Sequence, residues 1–146
     1  MTGGYMKKFT SILTALFFTG LLAAGSAVAE NHTVDARGLK FMPMNIHIQP
    51  GDTVYWENMM THNVNMLENL IPEGTEAFTS PMSENINHTF EKEGIYIYQC
   101  DPHIGAGMGG AVIVGNPVNL DQIKSQDVKG GLGRVVDEAI EFAEGL

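Results

Sequence analysis

The chain has a single cysteine, at position 100, and only eight basic residues against seventeen acidic ones. One cysteine excludes an internal disulfide. In an exported protein a spare thiol is a liability unless something occupies it, and metal ligation is one such occupation. A buried, inert cysteine is the plainer alternative, since the residue type is often buried. The shortage of lysine and arginine excludes the basic footprint that nucleic-acid binding needs. No twin-arginine pair lies near the start, which implies export of an unfolded chain that gains any metal afterwards. Internal repeats and low-complexity linkers are lacking too.

What is present begins with a leader. Lys7 and Lys8 precede an apolar run from Phe9 to Ala24, and Ala27-Val-Ala29 supplies a small-residue cleavage site. This is the layout of a secretory signal peptide over residues 1–29, with Met6 as a possible alternative start. An uncleaved anchor helix is the competing reading, and the cleavage site at the right distance weighs against it. Removal of 29 of the 146 residues leaves 117, enough for one domain over 30–146. Two lysines leave with the leader, so the net charge moves from −9 to −11. Such a balance suits a soluble carrier whose partner is basic or apolar, with a merely solvated acidic surface as the alternative.

From His32 the chain reads as short strands. Asn45-Ile-His-Ile-Gln49 alternates with period two and stops at the turn Pro50-Gly-Asp52. Thr53-Val-Tyr-Trp56, Asn87-His-Thr-Phe90, Gly94–Gln99 and Ala111-Val-Ile-Val114 follow, rich in β-branched and aromatic residues. This spacing predicts an all-β antiparallel sandwich over about 30–117. The tail over 119–145 changes period. Asn119 and Gln122 predict a capped helix start. Leu132, Val135, Val136, Ala139 and Ala143 form the apolar stripe of a second helix, packed on the sandwich because its other face is acidic.

The chemistry concentrates in Tyr98-Gln-Cys-Asp-Pro-His-Ile-Gly-Ala-Gly-Met108. Cys100, His103 and Met108 can converge on one ion if 101–107 form a tight loop. His62, in Thr61-His-Asn-Val64, is the best fourth donor. Two imidazoles, a thiolate and a weak thioether are the ligand set of a blue-copper electron-transfer site. Asn63 is placed to donate its backbone N–H to the Cys100 sulfur and to tie the two loops with its side chain. Pro102 has no N–H and cannot donate to the sulfur. Glycines 105, 107, 109 and 110, with Ile104 and Ala106, predict a flat apolar rim through which His103 approaches solvent. Tight turns and close packing are the other use of such glycines. His32, His47 and His88 are assigned surface roles, and Met42, Met44, Met59, Met60, Met66 and Met82 gap-filling ones. Two other classes stay open. Cys100, His62 and His103 with water match a catalytic zinc set, and Met59-Met60 leaves room for a copper chaperone or store.

The motif His62-Asn63 with Cys100-x-x-His103-x4-Met108 resembles the cupredoxins, and within them the pseudoazurin group. The likeness extends to Pro50-Gly-Asp-Thr-Val54, Ile71-Pro-Glu-Gly-Thr-Glu-Ala-Phe78, Gly94-Ile-Tyr96 and the helical tail. The resemblance implies an eight-stranded Greek-key sandwich with two C-terminal helices and one type 1 copper. It further implies a monomeric periplasmic electron carrier, with no catalysis of its own. The implied partners are redox proteins, a copper nitrite reductase in denitrification, a c-type cytochrome or similar, docking near His103. Three departures stand out. The segment from Val54 to His62 is a residue short, residue 101 is Asp where a neutral residue is usual, and the family's docking lysines are replaced by scattered Lys40, Lys92, Lys124, Lys129 and Arg134.

Overall fold

In a computed structural model, residues 1–3 and 28–146 are described; most of the expected leader lies outside the described residues. Eight strands form two four-stranded sheets: β1 Asn31–Arg37, β2 Lys40–Met42, β3 Asn45–Ile48, β4 Thr53–Glu57, β5 Asn65–Met66, β6 Ile86–Thr89, β7 Gly94–Gln99 and β8 Gly109–Val114. A short helix α1, Leu120–Lys124, and a longer α2, Gly130–Glu144, close the chain. Among the described residues no helix is long and apolar enough to cross a membrane.

One sheet runs β2-β1-β4-β6 and the other β3-β8-β7-β5. Both are mixed, which corrects the expectation of an antiparallel sandwich. β1 runs parallel to β4, and β3 parallel to β8. The reason is connectivity. β3 sits in the opposite sheet from β2 and β4, so the chain crosses the sandwich and returns alongside β1. Period-two alternation marks which face a residue takes and carries no strand direction.

Alternation along β7 and β8 explains why there are two cores. In β7, Tyr96 and Tyr98 turn toward the other sheet, where they join Trp56, Phe41 and Phe90. Ile95 and Ile97 turn the opposite way, toward the helices. In β8, Val112 and Val114 take the inter-sheet side, and Ala111 and Ile113 the helix side. Strands covered on both faces read as continuous apolar runs, as Ala111–Val114 does. The stripe of α2 supplies the cover: Val135, Val136, Ala139 and Ala143 are buried, and Arg134, Asp137, Glu138 and Glu141 are exposed.

Asn119 departs from its expected role. It precedes α1 but its side chain makes no cap hydrogen bond. Its Oδ1 accepts the Ile95 N–H at 2.7 Å and its Nδ2 donates to the Ile95 carbonyl at 3.0 Å. The cause is the length of β5. Along β7 that strand reaches only Tyr98 and Gln99, so the far end of β7 has no strand neighbour on that edge. A buried amide side chain takes the place of one. Truncation in Asn119→Ala leaves a buried N–H and C=O unpaired, at a cost of about 2 kcal/mol. Urea unfolding should show a lower midpoint, and an unchanged midpoint would contradict this role.

Candidate metal centre

Two loops at one end of the sandwich carry the chemistry. The first leaves β4 and turns sharply, with Asn58 and Thr61 in the left-handed region at φ 58° and 67°. That conformation is uncommon for a β-branched residue and is held here by neighbours. Thr61 N–H donates to Ser83 Oγ at 3.1 Å, His62 N–H to the Met59 carbonyl at 2.9 Å, and Ser83 N–H to the His62 carbonyl at 2.9 Å. His62 is buried against this brace.

The second loop joins β7 to β8. Gln99 pairs with Gly109 in the ladder, and Cys100 N–H donates to the Met108 carbonyl at 2.9 Å. Between them Asp101–Ala106 wind into a 3-10 helix with Pro102 in its first turn, where a missing N–H costs nothing. Gly107, at φ 83°, closes the helix. A loop pinched this way places Cys100, His103 and Met108 at one end of the strands. Cys100 and Met108 are fully buried in the inter-sheet core, and His103 is half-buried.

The two loops bring three donor atoms together. His62 Nδ1 and His103 Nδ1 lie 3.1 Å apart, and Cys100 Sγ is 3.6 Å from the first and 3.4 Å from the second. Among the described residues, this is the one group of three His, Cys, Asp or Glu side chains close enough to share an ion. Burial pushes the Cys100 thiol pKa up; the backbone N–H groups of Asn63 and His103 pull it back, and the Asp101 charge adds to the rise. Pro102, in the first turn of the helix, has no N–H to offer the sulfur, and the His103 N–H donates to the Cys100 carbonyl at 3.0 Å. Burial, then the neighbouring His103, lowers the His62 pKa and keeps its imidazole neutral, the form that binds a metal.

Asn63 ties the loops directly. Its Nδ2 donates to Asp101 Oδ2 at 2.8 Å, and its Oδ1 accepts the Asp101 N–H at 2.8 Å. The other carboxylate oxygen accepts from Asn65 Nδ2 at 2.9 Å and Gln99 Nε2 at 2.8 Å. Burial works to raise the Asp101 pKa, but the amides of Gln99, Asn65 and Asn63 hold it below the usual carboxylate value. Asn65 and Gln99 were not singled out from the sequence. They are cross-strand partners in β5 and β7, a pairing that a two-residue strand gives no signal for.

The remaining candidates fall away from this centre. His32 Nε2 lies 2.9 Å from Asp52 Oδ2. The exposed His47 ring donates to the Gly115 carbonyl at 2.9 Å. His88 is not an open surface residue as expected: it is half-buried, stacked on Phe78 with centroids 4.8 Å apart and edge-on to Phe90. It shares a strand face with Ile86, and its burial lowers its pKa. Met59 and Met66 fill the core, whereas Met60 is exposed. The rim also needs correcting. Gly105 and Ala106 are exposed beside His103, but Gly109 and Gly110 are buried in β8. They pack too closely for a side chain, a Cβ at Gly110 overlapping the Met44 carbonyl oxygen.

Residues 28–115 match the family described as copper binding proteins, plastocyanin/azurin family. The chain belongs to that family. It is 34% identical over 113 residues to the pseudoazurin of Paracoccus pantotrophus, covering 72% of this chain and 78% of that one. A chloroplastic plastocyanin of Hordeum vulgare is 32% identical over 119 residues, covering 74% and 77%. The crystal structure of native pseudoazurin from Hyphomicrobium denitrificans superposes with a TM-score of 0.71 at 33% identity, over 77% of this chain and 97% of that one. The protein is a pseudoazurin-like cupredoxin, and its metal is copper.

The donor set fits that ion. A proton on one Nδ1 serves only one neighbour at a time, so three inward-facing electron-rich atoms leave an arrangement that a cation completes. Separations of 3.1, 3.4 and 3.6 Å would let one ion reach all three atoms. Soft sulfur with imidazole is also the set that copper accepts in both oxidation states. The first turn of α2 braces the loop from behind: a Cβ at Gly131 would overlap the Ile104 carbonyl oxygen, and Arg134 Nη2 reaches within 3.3 Å of a Cβ placed on Gly107. Gly131→Ala must therefore shift the loop. We expect faster copper loss to a chelator, by about tenfold, and a displaced charge-transfer band; an unchanged spectrum and rate would show that α2 does not set the loop's position.

Proposed function

We propose that the protein is a one-electron carrier of the periplasm, reached through cleavage of the 1–29 leader, and that it acts as a monomer. His62, Cys100 and His103 hold the copper, with Met108 as the weak fourth donor. The observation that carries this reading is the meeting of His62 Nδ1, His103 Nδ1 and Cys100 Sγ within 3.6 Å of one another at a buried sandwich end. The relatives named pseudoazurin and plastocyanin support it. Bound copper supplies the redox couple, Cu(II)/Cu(I).

The chain's own residues do three things. They fix the donors, through the Asn63–Asp101 hydrogen bonds and the Cys100–Met108 backbone pair, so that little has to move when the charge changes. They exclude water, since Cys100 and Met108 are fully buried and His62 nearly so. They leave one way out: the half-buried His103 ring, bordered by the exposed Pro102, Gly105 and Ala106. The electron passes there to a docked partner, a copper nitrite reductase or a comparable respiratory reductase, with a c-type cytochrome or similar as the other redox partner. The acidic surface selects partners that present positive charge.

Copper-loaded protein should be intensely coloured, bleach on reduction and recover on oxidation. Cys100→Ser should remove the colour while the fold remains, and persistent colour would show that the thiolate is misassigned. Rapid mixing of the reduced protein with a copper nitrite reductase should restore the colour. The rate should fall about threefold or more as ionic strength rises from about 0.01 to about 0.15 M. No transfer at any salt would exclude that partner, and a rate indifferent to salt would exclude charge as the basis of docking.

A further inference from the structure

We infer that removal of the leader stabilises the fold directly, because the α-ammonium group it creates on Glu30 is the counter-ion of the buried Asp52 carboxylate. The inference rests on the reading that cleavage follows Ala29. Glu30 N lies 2.8 Å from Asp52 Oδ1. Asp52 Oδ2 accepts the Gln49 N–H at 2.9 Å and lies 2.9 Å from His32 Nε2. The Asp52 side chain is only 5% exposed. Its backbone is tied as well: its N–H donates to the Gln49 carbonyl at 3.1 Å, and its carbonyl accepts the Phe90 N–H at 2.9 Å. Glu30 clamps the residue from the other side, its carbonyl accepting the Thr53 N–H at 2.9 Å. Parallel pairing of β1 with β4 begins at the next position, Asn31 with Thr53. Asp52 is thus where the start of β1, the turn after β3 and the end of β6 meet.

In the uncleaved chain the Glu30 nitrogen is a peptide N–H without formal charge. A buried carboxylate facing amides and one imidazole is short of a full positive partner, and such a charge is costly. Hydrolysis of the Ala29–Glu30 bond places the water's hydroxyl on the Ala29 carbonyl carbon and its proton on the Glu30 nitrogen. With an ordinary α-amino pKa of about 7.7–8.0, that nitrogen takes up a second proton at neutral pH. The charge then appears at the atom already seated on Asp52, with no change of backbone position. Val28 and Ala29, the two residues immediately before Glu30, are exposed. A chain that keeps even one extra residue carries its terminal charge beyond Asp52.

Three copper-loaded forms with defined termini test this: one starting at Glu30 with a free amine, one acetylated at that amine alone, and one starting at Val28. The first should melt about 4 °C or more above the other two. In an Asp52→Asn background the difference between free and acetylated forms should vanish. Equal melting of the free and acetylated native-sequence forms overturns the ion pair, and that comparison needs no substitution that could impair folding. The mass of the protein exported by a host cell tests the cleavage site separately. A first residue other than Glu30 overturns the link to processing, whatever the defined forms show.

Discussion

The structure depends on one reciprocal contact between loops that are 38 residues apart in sequence. Asn63 gives a hydrogen bond to the Asp101 carboxylate and takes one from the Asp101 amide. Each residue is next to a member of the three-atom cluster, Asn63 to His62 and Asp101 to Cys100, so fixing this pair restrains the distance between imidazole and thiol. Two parallel hydrogen bonds from one planar amide also set orientation, which a single bond does not. Asn65 and Gln99 hold the carboxylate from the other side. The rest of the sandwich serves to keep these loops at the same end: β4 delivers one, β7 the other, and Trp56 on β4 packs edge-on against Tyr98 on β7 with centroids 5.4 Å apart.

Electron transfer asks for a site that is dry and stiff yet reachable. The burial of Cys100 and Met108 provides the first property and the pinched loop with its α2 brace the second. His103 provides the third, because it lies in a short 3-10 helix whose outer face is exposed. Asp101 adds a fixed negative charge beside this exit, and its three amide donors keep it ionised. The rim therefore combines a carboxylate with a small apolar surface, on a chain with a large acidic excess.

The grouping of His62, Cys100 and His103 was legible because chemistry and spacing coincide: Cys100 and His103 fall in one loop bounded by two strands, and no other cysteine competes. The two-layer sandwich and the helical tail were legible from periodicity, as was the α2 stripe. What escaped depends on contacts between distant segments. Strand direction follows from crossovers that alternation does not encode. Asn119 has the local look of a helix cap, and only the shortness of β5 diverts its amide to Ile95. Gly109 and Gly110 read as part of the flat apolar rim, but the ladder with β7 takes them into β8. His88 shows in sequence only as one polar residue in an alternating strand; Phe78, from another segment, makes it half-buried.

If the protein sets the copper geometry before copper arrives, the centre is the same with and without the ion. Crystal structures of the mature protein, metal-free and copper-loaded, test it most directly. The Asn63–Asp101 hydrogen bonds should persist in both, and His62, Cys100 and His103 should shift by no more than a few tenths of an ångström. A metal-free structure with the Cys100–Met108 loop swung away, or with the His62 ring turned out of the centre, would contradict it.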